Sequence, residues 1–94
     1  MSEAVCRVKV RIEGRVHGVN FRAFTSEHAR RLGLKGYVKN LPDGSVEAVI
    51  EGDPKGVKRL VEALRKGPQA AYVTGLCLEE EKPTGEFTDF EIRR

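Results

Sequence analysis

One segment of this chain has the residue types of an anion-binding site: residues 14–22, GRVHGVNFR. It follows a strand-like stretch and precedes a helix-like one, so several backbone N–H groups point the same way and the helix N-terminus adds partial positive charge. Gly14 and Gly18 allow tight turns and the close approach of a ligand to the main chain. Arg22 adds a planar, permanently charged fork that suits a phosphate. The spacing alone predicts a phosphate-binding loop without a metal ligand, and it leaves a plain structural turn open as the alternative.

A second block of interest lies at residues 36–40, GYVKN. The two blocks together resemble the signatures of the acylphosphatase family. The first family signature is a glycine, then valine-glutamine-glycine-valine, a variable residue, an aromatic and an arginine; the second is glycine-aromatic-valine-basic-asparagine. The likeness continues through residues 41–47 (LPDGSVE) and extends over nearly the whole chain, to the closing residues 90–93 (FEIR). One departure is His17, which stands where glutamine is usual.

The resemblance implies an enzyme that hydrolyses acyl phosphates to a carboxylate and inorganic phosphate, with no metal and no other cofactor. It also implies roles for the residues at matching positions. Arg22 and the backbone N–H groups of the loop bind the phosphate, and Asn40 orients the attacking water. The loop residues concerned are Val16, His17, Gly18, Val19 and Asn20. Phosphate and sulfate are then expected to compete with the substrate. Two roles are open for the side chain of His17: a protonated ring that adds positive charge near the phosphate, or a spectator, which we expect.

These residue types are sufficient for the implied chemistry. The phosphoryl group carries charge on three oxygens through a loose transition state, and N–H donors together with an arginine can hold those oxygens. The leaving carboxylate is already stable as an anion, so the reaction needs no general acid. An asparagine carries a donor and an acceptor on one amide, which suits it to place a water in line. The residues alone leave open that Arg22 is a surface helix residue and that Asn40 merely begins a turn.

The hydrophobic pattern predicts the elements that position these residues. Apolar and charged residues alternate over residues 5–13, which is typical of a strand with one solvent-exposed face. Apolar residues then recur at helical spacing after Asn20, which we expect to cap the helix, and Gly33 suits its C-terminal end. Asp53 followed by Pro54 predicts the start of a second helix. Further strands are expected at residues 36–40, 45–51, 72–81 and 87–92, the last of them short.

The order of the elements is β-α-β-β-α-β with a short extra strand at the C-terminal end. Two split β-α-β units predict a ferredoxin-like α/β sandwich: an antiparallel sheet of strand order 4-1-3-2 with both helices on one face. We expect residues 1–94 to form this single domain. Strands one and two then point the same way, so their C-terminal ends share the rim where the first helix starts. The loop, Arg22 and Asn40 are therefore expected to converge.

Composition and charge limit the class of protein. The hydrophobic fraction of 39% and the mixed-sign charged fraction of 33% are typical of a globular chain. Without an apolar run of membrane-spanning length or a signal-peptide pattern, we expect a cytoplasmic protein with no membrane partner. The net charge of +3 favours an anionic substrate but is too small to require nucleic acid. Cys6 and Cys77 lack metal-like spacing and are expected to stay reduced, and a monomer is expected.

Two other functions share parts of this pattern. An RNA-binding module can have the same topology and a basic charge, but it carries exposed aromatics on strands one and three. Here strand one has Arg7, Lys9 and Arg11 on its wet face, and residues 45–51 contain no aromatic. The second alternative is a carbamoyl-phosphate-handling module, since acylphosphatase-like domains also occur at the front of larger hydrogenase-maturation proteins. Because the chain ends at Arg94, a free-standing enzyme is the expectation.

Overall fold

The computed structural model describes residues 5–93, and its helices and strands follow the predicted order. They are β1 (Cys6–Arg15), α1 (Phe21–Arg31), β2 (Lys35–Asn40), β3 (Val46–Gly52), α2 (Pro54–Lys66), β4 (Tyr72–Glu81) and β5 (Phe90–Arg93). The last strand is shorter than predicted, because Phe87 turns onto the face of the sheet that the helices do not cover (the open face) and packs edge-on against Tyr37. Within the described residues, neither helix has the length and apolar content needed to cross a membrane.

The five strands form one sheet in the order β4-β1-β3-β2-β5. The pairs β1–β3, β1–β4 and β2–β3 are antiparallel, so the predicted order 4-1-3-2 is confirmed. The fifth strand is added beyond β2 in parallel, with Val38 beside Ile92, which makes the sheet mixed rather than wholly antiparallel. Because β1 and β2 both run antiparallel to β3, their C-terminal ends lie on one rim of the sheet.

The core lies between one face of the sheet and the two helices. Val8, Val10 and Ile12 alternate along β1 and are at most 5% exposed. They belong to one buried cluster with Phe21 of α1 and Leu60 of α2, and the two helices also contact each other. Both helices therefore lie on one face, as predicted. Burial of each large apolar side chain contributes about 1.5–3 kcal/mol, so this packing fixes the start of α1 against the rim.

The two ends of α1 are formed differently. At the C-terminal end, Gly33 (φ +72°) and Leu34 donate to the carbonyls of Arg30 and Ala29 at 3.1 and 2.8 Å, a Schellman motif in which Gly33 has the predicted place. At the N-terminal end, Asn20 occupies the cap position, but its side chain makes no capping hydrogen bond. The prediction of a side-chain cap is wrong. A capping side chain needs an extended backbone, whereas Asn20 is left-handed at φ +63° and ψ 29°.

The loop before β5 is fastened to the open face of the sheet. The carboxylate of Glu51, itself 7% exposed, accepts hydrogen bonds from the N–H groups of Thr84 and Gly85 at 3.3 and 2.8 Å. The guanidinium of Arg7 lies 3.5 Å from the same carboxylate. A buried carboxylate is stable only with such partners. These contacts fasten the loop that leads into β5, the strand that carries Arg93.

Candidate active site

Residues 16–20 connect β1 to α1 at the rim of the sheet. No backbone hydrogen bond within residues 5–93 uses their N–H groups as donors. Gly18 (φ +71°) and Asn20 (φ +63°) are left-handed, a conformation that glycine adopts freely and asparagine tolerates. When residues of left-handed conformation stand next to residues with negative φ, successive N–H groups turn toward one side, as in anion-binding loops. The first turn of α1 contains no acidic residue, so the partial positive charge of the helix end adds to the loop.

Gly14 was expected to let a ligand approach the main chain, but the structure gives it a role in the pairing of β1 with β4. The pairing of β1 with β4 shifts register between Glu13 and Gly14, and Gly14 has φ +126°. A Cβ at this position would collide with the carbonyl oxygen of Tyr72. Its close approach is therefore to β4, where it allows a bulge, and not to a ligand. A Cβ at Gly18 would meet nothing, so Gly18 is the glycine that leaves room beside the main chain.

Arg22 lies in the first turn of α1. Its half-buried side chain lines a cleft that Gly18 and Asn20 of the loop also line. Its Nη1 donates to the carbonyl oxygen of Arg93 in β5 at 3.2 Å. The ion pairs formed among residues 5–93 do not include Arg22. A guanidinium has five N–H donors in a fixed plane. The contact with Arg93 thus orients the fork while most of its donors remain available to a ligand.

Asn40 is the last residue of β2 and follows the buried Val38 by two positions, which places it on the helix side of the sheet. It lines the cleft together with Arg22. Its Oδ1 is buried and has no hydrogen-bond partner among the described residues. Leaving such an acceptor unpaired costs about 1–3 kcal/mol. This acceptor therefore calls for a partner from outside the described chain, such as a water or a ligand in the cleft.

The cleft has a volume of about 280 Å³, just below the range of roughly 300–1,000 Å³ that is typical of ligand sites. Its lining consists of Val16, Gly18, Asn20, Phe21, Arg22, Ala23, Asn40 and Ile92. Arg22 is the charged member of this set, so the local field favours an anion. Residues 5–93 contain no group of three or more histidines, cysteines and carboxylates placed to hold a metal ion. The arrangement suits a small phosphorylated molecule.

Two of the predicted loop residues turn their side chains away from the cleft. Val19 packs against the hydrophobic core. The ring of His17 points to the β2–β3 turn, where its Nε2 donates to the carbonyl oxygen of Ser45 at 2.9 Å. For these two residues, the main-chain N–H groups are the candidate donors to a bound anion.

The C-terminal strand brings two residues to the site that sequence reasoning missed. Ile92 lines the cleft and is 47% exposed, while Arg93 supplies the carbonyl that orients Arg22. The one signal for this region was the likeness of residues 90–93 to the end of the family pattern. That signal predicted a strand, but the parallel pairing with β2 that carries Ile92 to the cleft could not be read from it.

Comparison with known proteins identifies the group of enzymes that share this arrangement. The family model described as acylphosphatase matches residues 8–92. The chain belongs to the acylphosphatase family. It is 56% identical over 86 residues to the acylphosphatase of Syntrophobacter fumaroxidans, covering 92% of this chain and 89% of the relative. For the acylphosphatase of Gloeobacter violaceus the identity is 51% over 94 residues, covering 100% and 99%. The crystal structure of acylphosphatase from Bacillus subtilis superimposes with a TM-score of 0.91 at 32% identity, covering 95% and 99%.

Membership of the family confirms the predicted fold and the predicted activity, the hydrolysis of acyl phosphates. The RNA-binding alternative also fits the open face of the sheet poorly. Tyr37 is the aromatic residue of β2 on that face, and the guanidinium of Arg93 lies over its ring at 4.1 Å from the centroid. Phe87 packs on the edge of the same ring. A ring covered in this way does not offer a base the free surface that stacking requires.

Proposed function

We propose that this acylphosphatase holds the phosphoryl group of its substrate between the N–H groups of residues 16–20 and the guanidinium of Arg22, while Asn40 orients the attacking water. The observation that carries the proposal is the shared cleft. The loop, the first turn of α1 and the end of β2 come from separate parts of the chain, and all three line it. Each of them presents hydrogen-bonding groups that the described chain leaves available.

The loop and Arg22 have the character needed for the phosphoryl group. Its negative charge is spread over three oxygens, and a charge-assisted hydrogen bond to such an oxygen contributes about 1.5–3 kcal/mol. The N–H donors come from Val16, His17, Gly18, Val19 and Asn20. Because these donors are fixed by the backbone, they need little reorganisation as charge shifts in the transition state. Arg22 adds a full positive charge and a planar pair of donors.

Asn40 has the groups needed to place the nucleophile. Its Oδ1 is the buried acceptor without a partner in the described chain, so it can accept a hydrogen bond from water. The amide N–H₂ can donate to the water or to a phosphate oxygen. A water held on the far side of phosphorus from the leaving carboxylate is aligned for in-line attack. The phosphate oxygens of the substrate take up the proton of the water, so the site needs no separate base.

The reaction drawn in this way requires neither a metal nor a cofactor. Arg22 and the N–H groups supply the positive field that Mg²⁺ supplies in other phosphoryl-transfer sites. The leaving group departs as a carboxylate, which is stable without protonation. We therefore propose a metal-independent mechanism.

We also propose that the enzyme acts as a monomer in the cytoplasm. Cys6 and Cys77 are both free thiols, which is the usual state in a reducing compartment. The free edge of β4 carries Glu79, Glu80 and Glu81, and charged residues on an edge strand discourage pairing with a second sheet. Sedimentation velocity at several protein concentrations tests whether the enzyme is a monomer. A dimer at micromolar concentration would contradict that part of the proposal.

Inorganic phosphate tests the proposed binding site, because it is the product and carries the same oxygens. We expect phosphate and sulfate to inhibit competitively the hydrolysis of a simple aryl acyl phosphate. In an NMR titration with phosphate, the amide signals of residues 16–20 should shift most, together with the side chain of Arg22. Non-competitive inhibition, or shifts centred on the open face of the sheet, would contradict the proposal.

A further inference from the structure

The side chain of His17 makes a contact that the reaction scheme above does not use. Its Nε2 lies 2.9 Å from the carbonyl oxygen of Ser45, which precedes β3. A carbonyl oxygen only accepts, so Nε2 carries the proton and donates. The neutral Nε2–H tautomer and the imidazolium both satisfy this requirement. The contact joins the phosphate-binding loop directly to the turn between β2 and β3.

The turn that receives this bond is internally braced. The same Ser45 carbonyl accepts from the N–H of Leu41 at 2.8 Å, and the N–H of Gly44 donates to the carbonyl of Leu41 at 3.1 Å. The carboxylate of Asp43 accepts from the N–H of Ser45 at 2.9 Å. These contacts, chiefly the bond from the Ser45 hydroxyl, hold the pKa of Asp43 below its ordinary value. Leu41 directly follows Asn40, so this braced turn begins at the residue next to Asn40.

We propose that His17 is a positioning residue: its imidazole locks the phosphate-binding loop to the 41–45 turn and so fixes Asn40 relative to the bound phosphate. This inference rests on the proposed function, in which Asn40 orients the water. The path is short. It runs from the ring of His17 to the Ser45 carbonyl, from there to the N–H of Leu41, and along the chain to Asn40.

The geometry separates this role from two others that a histidine in a phosphate loop could have. His17 is not among the residues that line the cleft, so its ring is not placed to bind phosphate. The ring is also not free in solvent, because its Nε2 is directed at a specific carbonyl of another element. In-line attack depends steeply on the placement of the nucleophile. A single bond that sets the distance between loop and turn can therefore act on the rate while leaving phosphate binding nearly unchanged.

The first experiment compares two substitutions that differ in whether they retain a donor. His17→Gln keeps an N–H at the same position along the side chain, and His17→Leu has similar bulk with no donor. We expect His17→Leu to lower kcat roughly 3- to 10-fold, the effect of one net hydrogen bond, and His17→Gln to stay within about 2-fold of the parent. The inhibition constant of phosphate should change less than about 3-fold in both. His28→Gln is the matched control, since that ring packs on Phe24, away from the cleft, and kcat should not change.

The second experiment asks whether His17 acts through Asn40, by a double-mutant cycle. In an Asn40→Ala background, His17→Leu should change kcat by less than about 2-fold, because there is no amide left to position. The same loss in both backgrounds would overturn the inference, and so would an unchanged kcat in His17→Leu or a His17→Gln enzyme as slow as His17→Leu. Thermal unfolding of each variant shows that the comparison is between folded enzymes. Full activity in Asn40→Ala would instead refute the proposed function itself, so the two failures are distinguishable.

Discussion

Replacement of Arg22 by alanine should remove the strongest single contact to the phosphoryl group. The structure allows the size of the loss to be worked out. One N–H of the guanidinium is engaged by the carbonyl of Arg93, and two of the four others can donate to two phosphate oxygens. Two charge-assisted bonds at about 1.5–3 kcal/mol each correspond to about 3–6 kcal/mol in the transition state. At about 1.4 kcal/mol per tenfold, kcat/KM should fall roughly 10²- to 10⁴-fold.

The fold should survive this substitution. The bond to Arg93 is solvent-exposed, so its loss should change the free energy of unfolding by less than about 1 kcal/mol. Arg22→Lys should recover little activity, because one ammonium cannot reproduce the planar fork. Arg31→Ala provides a matched control at the other end of α1, where the side chain is exposed and remote from the cleft. Steady-state hydrolysis of an aryl acyl phosphate and thermal unfolding measure the two properties. A folded Arg22→Ala enzyme that keeps more than about a tenth of the parental kcat/KM would refute the reasoning.

Two further predictions follow from other parts of the molecule. Dialysis against EDTA should leave activity unchanged, since residues 5–93 place no cluster of metal-ligating side chains together; a loss restored by Mg²⁺ or Zn²⁺ would contradict the metal-independent mechanism. Burial, and then the hydrogen bond to Glu47, raises the pKa of Tyr37 from its ordinary value near 10 to about 12. The neutral phenol is therefore the form that stabilises the fold, and its contribution is complete below about pH 10 and lost as pH rises toward 12. Urea unfolding across this range should show a smaller loss of stability for Tyr37→Phe than for the parent.

Local residue patterns predicted most of the elements because the physics that sets them is local. Pro54 has the fixed φ of a first helical turn, and Gly33 has the left-handed conformation that ends a helix. The start of α2 and the end of α1 therefore lie where the sequence predicted them. The convergence of Arg22 and Asn40 also followed, since it depends only on strands one and two being parallel. Their catalytic roles stay predictions until variants are assayed.

The features that the sequence did not predict depend on contacts between distant segments. Gly14 reads as a loop glycine, but its conformation is required by the backbone of β4. Asn20 is a strong capping residue by type, and the turn of the loop holds it left-handed instead. The partner of His17 lies in another hairpin, and no local pattern marks a carbonyl that accepts two hydrogen bonds. The same holds for Ile92, which parallel pairing with β2 brings to the cleft.

Kinetics of Asn40→Ala and Asn40→Asp, measured side by side with phosphate inhibition, test most directly whether Asn40 orients the attacking water. Asn40→Ala should lower kcat far more than it changes the inhibition constant of phosphate, which should stay within a few-fold of the parent, because the amide acts chiefly in the transition state. Asn40→Asp is nearly isosteric and still accepts from water, but it loses the N–H donors and adds negative charge beside the phosphate, so it should also be severely impaired. An Asn40→Asp enzyme as fast as the parent would show that the residue acts as a base and would contradict the water-positioning role.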